Sequence, residues 1–286
     1  MQKCQNGGIL KIDLHLHTTF SDGKLSPEEL VRIAYESHYS YISITDHDTF
    51  SGYLDAKKYL DKYKLELIPG VEISTILDQT EVHILAYYFD TENENLNNLL
   101  KQVYDSRYGR AKQMVNNLEA LGIHLNWKEV LVYAGENTYI GRPHIARALI
   151  EKGIVKSIKE AFDKYLSNDS PAYVPKYKVD TGFAIQTIRE AGGLSVLAHP
   201  GRLPDDTIVY TCIELGIDGI EVYYSSHAHG QTRLYEQIAL ENNLIRTGGT
   251  DFHGNEFYYI NYSAPDICIK ELKSAYNERS VKKDKL

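Results

Sequence analysis

Two histidines lie two positions apart near the start of the chain, in the segment Asp13-Leu14-His15-Leu16-His17. The segment has the pattern of a β-strand, in which alternate residues face the same side, so Asp13, His15 and His17 share one face. Polar side chains that point into a barrel cost free energy unless they bind something at its open end. Alone, this His-x-His pair is as compatible with a structural role as with metal binding.

The same kinds of side chain recur at or near the C-terminal ends of other predicted strands. They are Asp22 after the first strand, His47 after the second, Glu72 at the end of the third, His83 in the fourth, His199 after the fifth, and Asp251 and His253 after the seventh. Each has an ordinary structural explanation as a turn, a core histidine or a helix cap. Together with His15 and His17 they make nine, and nine on one rim predict a metal site.

The ligand types narrow the choice of metal. Imidazole and carboxylate without thiolate favour Zn, Mn or Fe over Ca or Cu(I). Because one ion takes only about three to five protein ligands, nine candidates predict two or three divalent ions that share bridging carboxylates. Clusters of this kind typically hold their metals ~3.5–4 Å apart and hydrolyse phosphate esters.

Seven short runs rich in β-branched and aromatic residues predict the strands that carry these ligands. They are residues 11–17, 41–45, 65–73, 81–89, 194–198, 219–224 and 244–248. Helical patterns lie between several of them, including one opened by a capping box at Ser26 and one stopped at Gly192. This alternation favours a parallel α/β sheet or barrel.

The middle of the chain is different, with helical periodicity and little strand pattern. We therefore expect a barrel formed by residues 1–94 and 181–286, with a mostly helical insertion at 95–180 that acts as a lid over the substrate. Within the insertion, Arg142 and His144 lie at a predicted helix start, where a phosphate can bind. Taken alone, an ordinary helix that starts with proline explains them better. Arg202 fits either a phosphate clamp or a surface ion pair, and His227 is a candidate for proton transfer to or from the leaving alcohol.

The amino-acid composition restricts the binding partners and the cellular location that we expect. A formal net charge of −8 opposes broad binding to duplex nucleic acid, although bound cations would admit a phosphate substrate. Cys4, Cys212 and Cys268 are too few and too far apart for a disulfide framework, which favours a reducing cytoplasm. No apolar run suggests a signal peptide or a membrane helix, and nothing in the sequence indicates an oligomeric state.

The motifs resemble those of the PHP (polymerase and histidinol phosphatase) superfamily of phosphoesterases. The matching segments are DLHLHTTFSDGKLSPEEL, ITDHDT, PGVEIS, EVHILAYYF, LAHPGR and GTDFHG. The resemblance implies a distorted (β/α)7 TIM-like barrel. The segment YIGRPHIARALIEKG is similar to the branch that contains 3′,5′-nucleoside bisphosphate phosphatases and 5′→3′ exonucleases, in which a helical insertion covers the barrel mouth.

The resemblance also implies roles for single residues. The first metal would be held by His15, His17, Glu72 and Asp251, the second by Glu72, His83 and His199, and the third by Asp22, His47 and His253. Arg142 and His144 would contact the substrate. Glu221, in the sixth strand, is expected to support the ligands rather than to be one.

We therefore expect a hydrolase in which a metal-activated hydroxide attacks a nucleotide-like phosphate ester. Its substrate would be a nucleoside 3′,5′-bisphosphate or a short oligonucleotide. One alternative is a phosphatase for a small metabolite such as histidinol phosphate, which the insertion disfavours. Another is a non-catalytic, metal-stabilised binding module, which is disfavoured because all nine ligands are present.

Overall fold

The computed structural model describes residues 10–134, 140–175, 177, 179–254 and 262–283. The chain divides into two compact units, one formed by Met1–Asn97 with Val179–Leu286 and the other by Asn98–Lys178. We call the first the barrel unit and the second the helical unit. The role of the insertion as a lid stays a prediction.

Seven strands of the described chain form one sheet, in the order in which they follow along the sequence. They are β1 (Ile12–Leu16), β2 (Tyr41–Ile44), β3 (Glu66–Leu77), β4 (Thr80–Tyr87), β5 (Leu194–Leu197), β6 (Gly219–Tyr224) and β7 (Ile245–Gly249). After β7 the chain returns to β1, where Asp251 N–H donates to the His15 carbonyl (2.9 Å) and His17 N–H donates to the Phe252 carbonyl (3.0 Å). The sheet is therefore a nearly closed barrel, as predicted.

Strand β4 departs from the predicted parallel arrangement. It runs antiparallel to both β3 and β5, whereas the other neighbouring strands are parallel. Between β3 and β4 lie Asp78 and Gln79, and two residues can form a hairpin but not the crossover that parallel neighbours require. The prediction is wrong for this strand, and Glu72 lies within β3 rather than at its end. Because β4 is reversed, its first residues, including His83, lie beside the far end of β3.

The helices of the described chain are α1 (Pro27–Glu36), α2 (Ser51–Ala56), α3 (Glu94–Ala120), α4 (Trp127–Ala134), α5 (Arg142–Glu151), α6 (Ile158–Ala161), α7 (Thr181–Glu190), α8 (Thr207–Glu214), α9 (His229–Glu241) and α10 (Asp266–Lys283). The predicted capping box at Ser26 is present: its side chain accepts from Glu29 N–H (3.3 Å), and the Glu29 carboxylate accepts from Ser26 N–H (2.8 Å). Gly192 follows α7 in the left-handed region (φ 76°), where glycine is least strained. None of the described helices is long and apolar enough to cross a membrane.

The two units have separate apolar cores. In the barrel unit Leu14 and Leu16 are buried on the outer side of β1, in two clusters with the surrounding helices. The helical unit buries residues such as Met114, Leu118 and Leu149 against one another. The single tryptophan, Trp127, belongs to this second core and donates from Nε1 to Tyr108 Oη (3.0 Å). Each core therefore fixes its own set of polar side chains.

Candidate metal centre

The nine predicted ligands converge at one end of the barrel. Their three carboxylates each face several of the six imidazoles, and every imidazole lies 3.8 Å or less from a carboxylate oxygen. These carboxylates are Asp22, Glu72 and Asp251. The side chains come from β1, β3, β4 and the segments that follow β1, β2, β5 and β7, so the barrel brings together residues far apart in sequence.

Glu72 lies at the centre of this cluster and is buried. Its two oxygens face different imidazoles. Oε1 lies near His83 Nδ1 (2.9 Å) and His199 Nε2 (3.0 Å), whereas Oε2 lies near His47 Nδ1 (2.9 Å), His17 Nε2 (3.3 Å) and His15 Nε2 (3.4 Å). A carboxylate in this position can bridge two cations, one on each oxygen.

Three sets of ligand atoms lie close enough to share an ion, with all atoms of a set within 4.8 Å of one another. They are His15, His17, Glu72 and Asp251; His17, Asp22, His47 and His253; and His47, Glu72 and His83. The first set is the one expected for the first metal. The second adds His17 to the expected third set, and in the last His47 stands where His199 was expected.

Several buried atoms of the cluster make no hydrogen bond with any residue that the structure describes. They are His15 Nε2, His17 Nε2, Glu72 Oε2 and His199 Nδ1. A buried polar atom left without a partner costs about 1–3 kcal/mol, so their presence together needs an explanation. Imidazole nitrogens and a carboxylate oxygen are suitable ligands for divalent transition metals, and the residues therefore fit a metal centre.

The electrostatics of the cluster lead to the same conclusion. Burial lowers the pKa of His17, but the nearby carboxylates of Asp251 and Glu72 outweigh it and raise this pKa to about 10. Burial likewise opposes charge on His83, yet Glu72 and Glu81 raise its pKa to about 9. Conversely, burial favours the neutral form of Asp251, but His15 and His17 hold its pKa well below the usual range. The carboxylates thus require positive charge nearby, which protons or metal cations can supply.

Glu221 supports two of the ligands from behind. Its Oε1 lies 3.0 Å from His15 Nδ1, and its Oε2 accepts from the backbone N–H of His199 (2.7 Å). Because a carboxylate can only accept, His15 Nδ1 carries the proton and Nε2 is left for a metal. This geometry supports the expectation that Glu221 positions ligands.

Sequence reasoning gave no role to Asp13. Its carboxylate accepts from Thr250 N–H (3.0 Å) and from the Thr250 hydroxyl (2.7 Å), which ties β1 to the segment that carries Asp251. Burial raises the pKa of Asp13 to about 7, despite these hydrogen bonds. The alternation with His15 and His17 placed it on the inner face, but its partner Thr250 lies at the other end of the chain.

Asp46 and Asp48 hold the loops on either side of His47. Asp46 accepts from Thr18 N–H (2.7 Å) and from the Ser21 hydroxyl (2.6 Å), and so fixes the loop that leads to Asp22. Asp48 accepts from the backbone N–H of Ser74 (2.7 Å). Neither aspartate therefore needs to be a ligand to shape the site.

The backbone of the site is also unusual. Asp48 (φ 58°), His199 (φ 29°) and Asp251 (φ 56°) all have positive φ, which costs a non-glycine residue about 1–3 kcal/mol. Gly249 is needed for close approach, because a Cβ atom there would lie 2.3 Å from the Cβ of His15. The surrounding barrel thus imposes conformations that these residues would not adopt alone.

Arg202 lies at the edge of the cluster and is more than half exposed. Its Nη1 donates to Asp251 Oδ2 (2.7 Å), and its guanidinium lies 5.0 Å from the centre of the Tyr224 ring. Tyr224 Oη lies 3.3 Å from the same carboxylate oxygen. The ion pair considered from sequence is therefore present, and it involves a predicted metal ligand. Contact between Arg202 and a substrate stays a prediction.

His227 makes contacts that favour a structural role. Its Nδ1 lies 3.0 Å from the Val222 carbonyl, and its Nε2 accepts from Gly201 N–H (3.1 Å). Burial also lowers the pKa of this imidazole. Both nitrogens are thus engaged with the backbone and hold the turn before Arg202. Proton transfer by His227 would require this turn to open, and that role stays a prediction.

Arg142 and His144 lie in the helical unit, at the first turn of α5. Arg142 Nη1 donates to the Leu166 carbonyl (3.1 Å), and His144 Nδ1 accepts from Gly141 N–H (3.0 Å). His144 therefore caps the helix. Their contact with substrate stays a prediction.

Comparisons with known proteins agree with the geometry. The profile of the PHP domain family matches residues 13–168. The 5′-3′ exoribonuclease Rnm of Salmonella typhimurium is 34% identical over 248 residues, with 84% of each chain covered. A 3′,5′-nucleoside bisphosphate phosphatase of Chromobacterium violaceum is 33% identical over 250 residues, which cover 86% of this chain and 88% of that protein.

Two solved structures have the same fold over nearly their full length. A candidate metal-dependent phosphoesterase of Bifidobacterium adolescentis superposes with a TM-score of 0.81 and 32% identity, and covers 93% of this chain and 96% of its own. An amidohydrolase of Chromobacterium violaceum, solved with sulfate and without metal, has a TM-score of 0.79 and 31% identity, with 92% and 96% covered.

Proposed function

Because the chain belongs to the PHP domain family and is a metal-dependent phosphoesterase of that family, we propose that its substrates are phosphate esters of nucleotides. They would be nucleoside 3′,5′-bisphosphates, which lose the 3′-phosphate, or short oligonucleotides, which are cleaved from the 5′ end. The names of the relatives from Salmonella typhimurium and Chromobacterium violaceum support both.

The observation that carries the proposal is the position of Glu72. Each of its oxygens faces a different group of imidazoles, as a bridge between cations requires. We propose two or three ions of Mn, Fe or Zn, with His15, His17, Glu72 and Asp251 as the first set. His83 and His199 would complete the second set with Glu72, and Asp22, His47 and His253 would form the third.

The residues of the chain then perform separate tasks. Bound divalent cations would lower the pKa of a coordinated water and offset negative charge on the phosphate. Glu221 and Asp13 keep the ligands in place before substrate arrives, so little reorganisation is needed during the reaction. Arg202, exposed beside Asp251, is proposed to hold a phosphate oxygen, and Arg142 and His144 are proposed to contact the rest of the substrate.

The net charge and the cysteines support a proposed partner and a proposed location. The net charge of −8 disfavours binding to bulk duplex nucleic acid, so we propose a small nucleotide or a short oligonucleotide as the partner. Cys212 and Cys268 are free and buried, which supports a reducing cytoplasm as the location.

A comparison of substrates tests the proposal. Purified protein saturated with Mn²⁺ would be assayed with adenosine 3′,5′-bisphosphate, 5′-phosphorylated oligoribonucleotides and histidinol phosphate, and its metals measured by elemental analysis. We expect turnover of one or both nucleotide substrates. Turnover of histidinol phosphate alone would refute the proposed substrate class, and no turnover with metal bound would indicate a binding module.

A further inference from the structure

Two arginines of the helical unit share one aromatic ring. The guanidinium carbons of Arg110, in α3, and Arg142, in α5, lie 5.4 Å and 5.8 Å from the centre of the Tyr173 ring. Both side chains are half-buried. Two like charges held around one ring repel each other, so this arrangement needs a compensating interaction.

The hydrogen bonds of these arginines go to neutral groups. Arg110 Nε donates to the Val174 carbonyl (2.5 Å), and Arg142 Nη1 donates to the Leu166 carbonyl (3.1 Å) and to Asn168 Oδ1 (3.3 Å). No carboxylate of the described residues forms an ion pair with either guanidinium. The positive charge of the pair is therefore not balanced there.

One nitrogen of the Arg110 guanidinium has no hydrogen-bond acceptor among the described residues. Arg110 Nη2 is buried and forms no hydrogen bond with any residue in the described ranges. Burial and the positive charges of Arg142 and Arg107 lower the pKa of Arg110, although Tyr173 partly offsets them. A purely structural role, in which the arginines only bind the loop carbonyls, would leave this nitrogen and the repulsion unexplained.

Several acidic groups of the helical unit pair with lysines. Glu129 pairs with Lys152, and Glu160 pairs with Lys164. These two acids are thus paired with lysines, whereas Arg110 and Arg142 lie beside each other at the Tyr173 ring. Guanidinium forks bind phosphate oxygens through parallel N–H groups better than lysine does.

We propose that Arg110 and Arg142 form a binding site for a phosphate group within the helical unit. The site takes either a second phosphate of the nucleotide substrate or free inorganic phosphate, which have the same chemistry. The first of these sources rests on the proposed function, whereas the anion site itself does not.

Inorganic phosphate tests the site without catalysis. The thermal unfolding midpoint of the full chain, freed of metal with EDTA, would be measured in rising phosphate at constant ionic strength. We expect the midpoint to rise for the wild type and for Arg147→Met, a control on an exposed arginine of α5. The rise should be lost in Arg110→Met. An equal rise in Arg110→Met would overturn the proposal.

Because Arg110 also binds a loop carbonyl, Arg110→Lys is the companion variant. It keeps the charge but loses the fork, so it should keep part of the rise. If Arg110→Met is poorly folded by circular dichroism, Arg110→Lys decides, and an undiminished phosphate response in it would also count against the site.

Steady-state kinetics then identifies the source of the phosphate. For a substrate phosphate, Arg110→Met should lower kcat/KM for adenosine 3′,5′-bisphosphate about tenfold to a hundredfold more than for adenosine 3′-monophosphate. If the site binds free phosphate instead, Arg110→Met should change kcat/KM by the same factor for both nucleotides. If the wild type turns over neither nucleotide, the proposed function fails, while the unfolding measurement still decides the anion site.

Discussion

The barrel rim and the helical unit both gather charged side chains, but they balance the charge differently. At the rim, imidazoles that can carry positive charge surround the negative carboxylate of Glu72, so that charges of opposite sign balance. In the helical unit, Arg110 and Arg142 have the same sign and no acidic partner among the described residues. The first arrangement suits cations, and the second suits an anion. The difference shows that a cluster of buried charged side chains indicates what kind of ligand binds only when the signs of all the neighbouring charges are considered.

The scaffolds differ as well. Strands of a barrel fix which side chains face inward, whereas the helices of the other unit are held by an apolar core that includes Met114 and Leu149. We therefore expect substitutions at the rim to change metal binding and activity, and substitutions in the helical core to change stability. Four experiments test this difference between the two units.

The largest effect is expected for Glu72→Gln. An amide cannot supply the charge that a bridging carboxylate gives to two cations, so kcat/KM should fall about a thousandfold and bound metal should decrease. Elemental analysis and steady-state kinetics measure both. The control is Glu66→Gln, which lies on the same strand and pairs with Lys273 (2.7 Å); it should change neither quantity. A Glu72→Gln protein with full metal content would contradict the bridging role.

Leu149→Ala should lower stability and leave metal binding unchanged. The side chain is buried in the helical core, so its truncation should lower the free energy of unfolding by about 2–5 kcal/mol, as measured by urea denaturation. Metal content at neutral pH should remain unchanged. Leu121→Ala, at an exposed leucine of the same unit, should stay within about 0.5 kcal/mol of the wild type. Loss of metal from Leu149→Ala would mean that the two units do not act independently.

Glu221→Gln should weaken metal binding by about tenfold to a hundredfold. The amide keeps an acceptor for one of its two partners, His15 or the backbone of His199, but not both. Titration with a competing chelator measures the affinity, with Glu214→Gln as an exposed control. Unchanged affinity would show that the barrel alone orients these imidazoles.

The smallest effect is a dependence of stability on pH in the metal-free protein. The folded pKa values of His83, about 9, and His17, about 10, exceed the value of about 6.5 for an unfolded histidine. Histidines whose pKa is higher in the folded than in the unfolded state contribute their full stabilisation below about pH 6.5. This stabilisation is lost as the pH rises through the folded pKa values. Urea denaturation in EDTA should therefore show stability falling from about pH 6.5 to 10. With saturating metal the fall should be smaller, and an equal fall would argue that cations do not replace these protons.

Much of the rim could be predicted from sequence because strand periodicity is local. The alternation of Asp13, His15 and His17 sets their common face, and the seven strands follow from β-rich runs. The direction of β4 was missed because polar Ser74 and Thr75 interrupt the apolar pattern of β3, which hid the strand's continuation to Leu77 and the short hairpin. The partition of ligands among ions depended on the family resemblance, since spacing does not assign them.

Contacts between distant segments could not be predicted. The partnership of Asp13 with Thr250, and that of Arg110 with Tyr173, depend on tertiary packing and leave no periodic trace in the sequence. The contacts of His227 with the Val222 carbonyl and Gly201 N–H were likewise not predictable, because its position after a strand end indicates only that it could take part in chemistry. Local pattern thus indicates which face a side chain occupies, but not what it meets there.

The hydrogen bonds between Asp13 and Thr250 join residues 237 positions apart. During synthesis, His15 and His17 leave the ribosome long before Asp251 and His253 exist, so the ligand set is completed only when nearly the whole chain has been translated. Until then, the N-terminal imidazoles can hold an ion only weakly, with an incomplete shell. Completion of the first and third metal sets therefore depends on the segment after β7, and a chain truncated before β7 would lack Asp251 from the first set and His253 from the third.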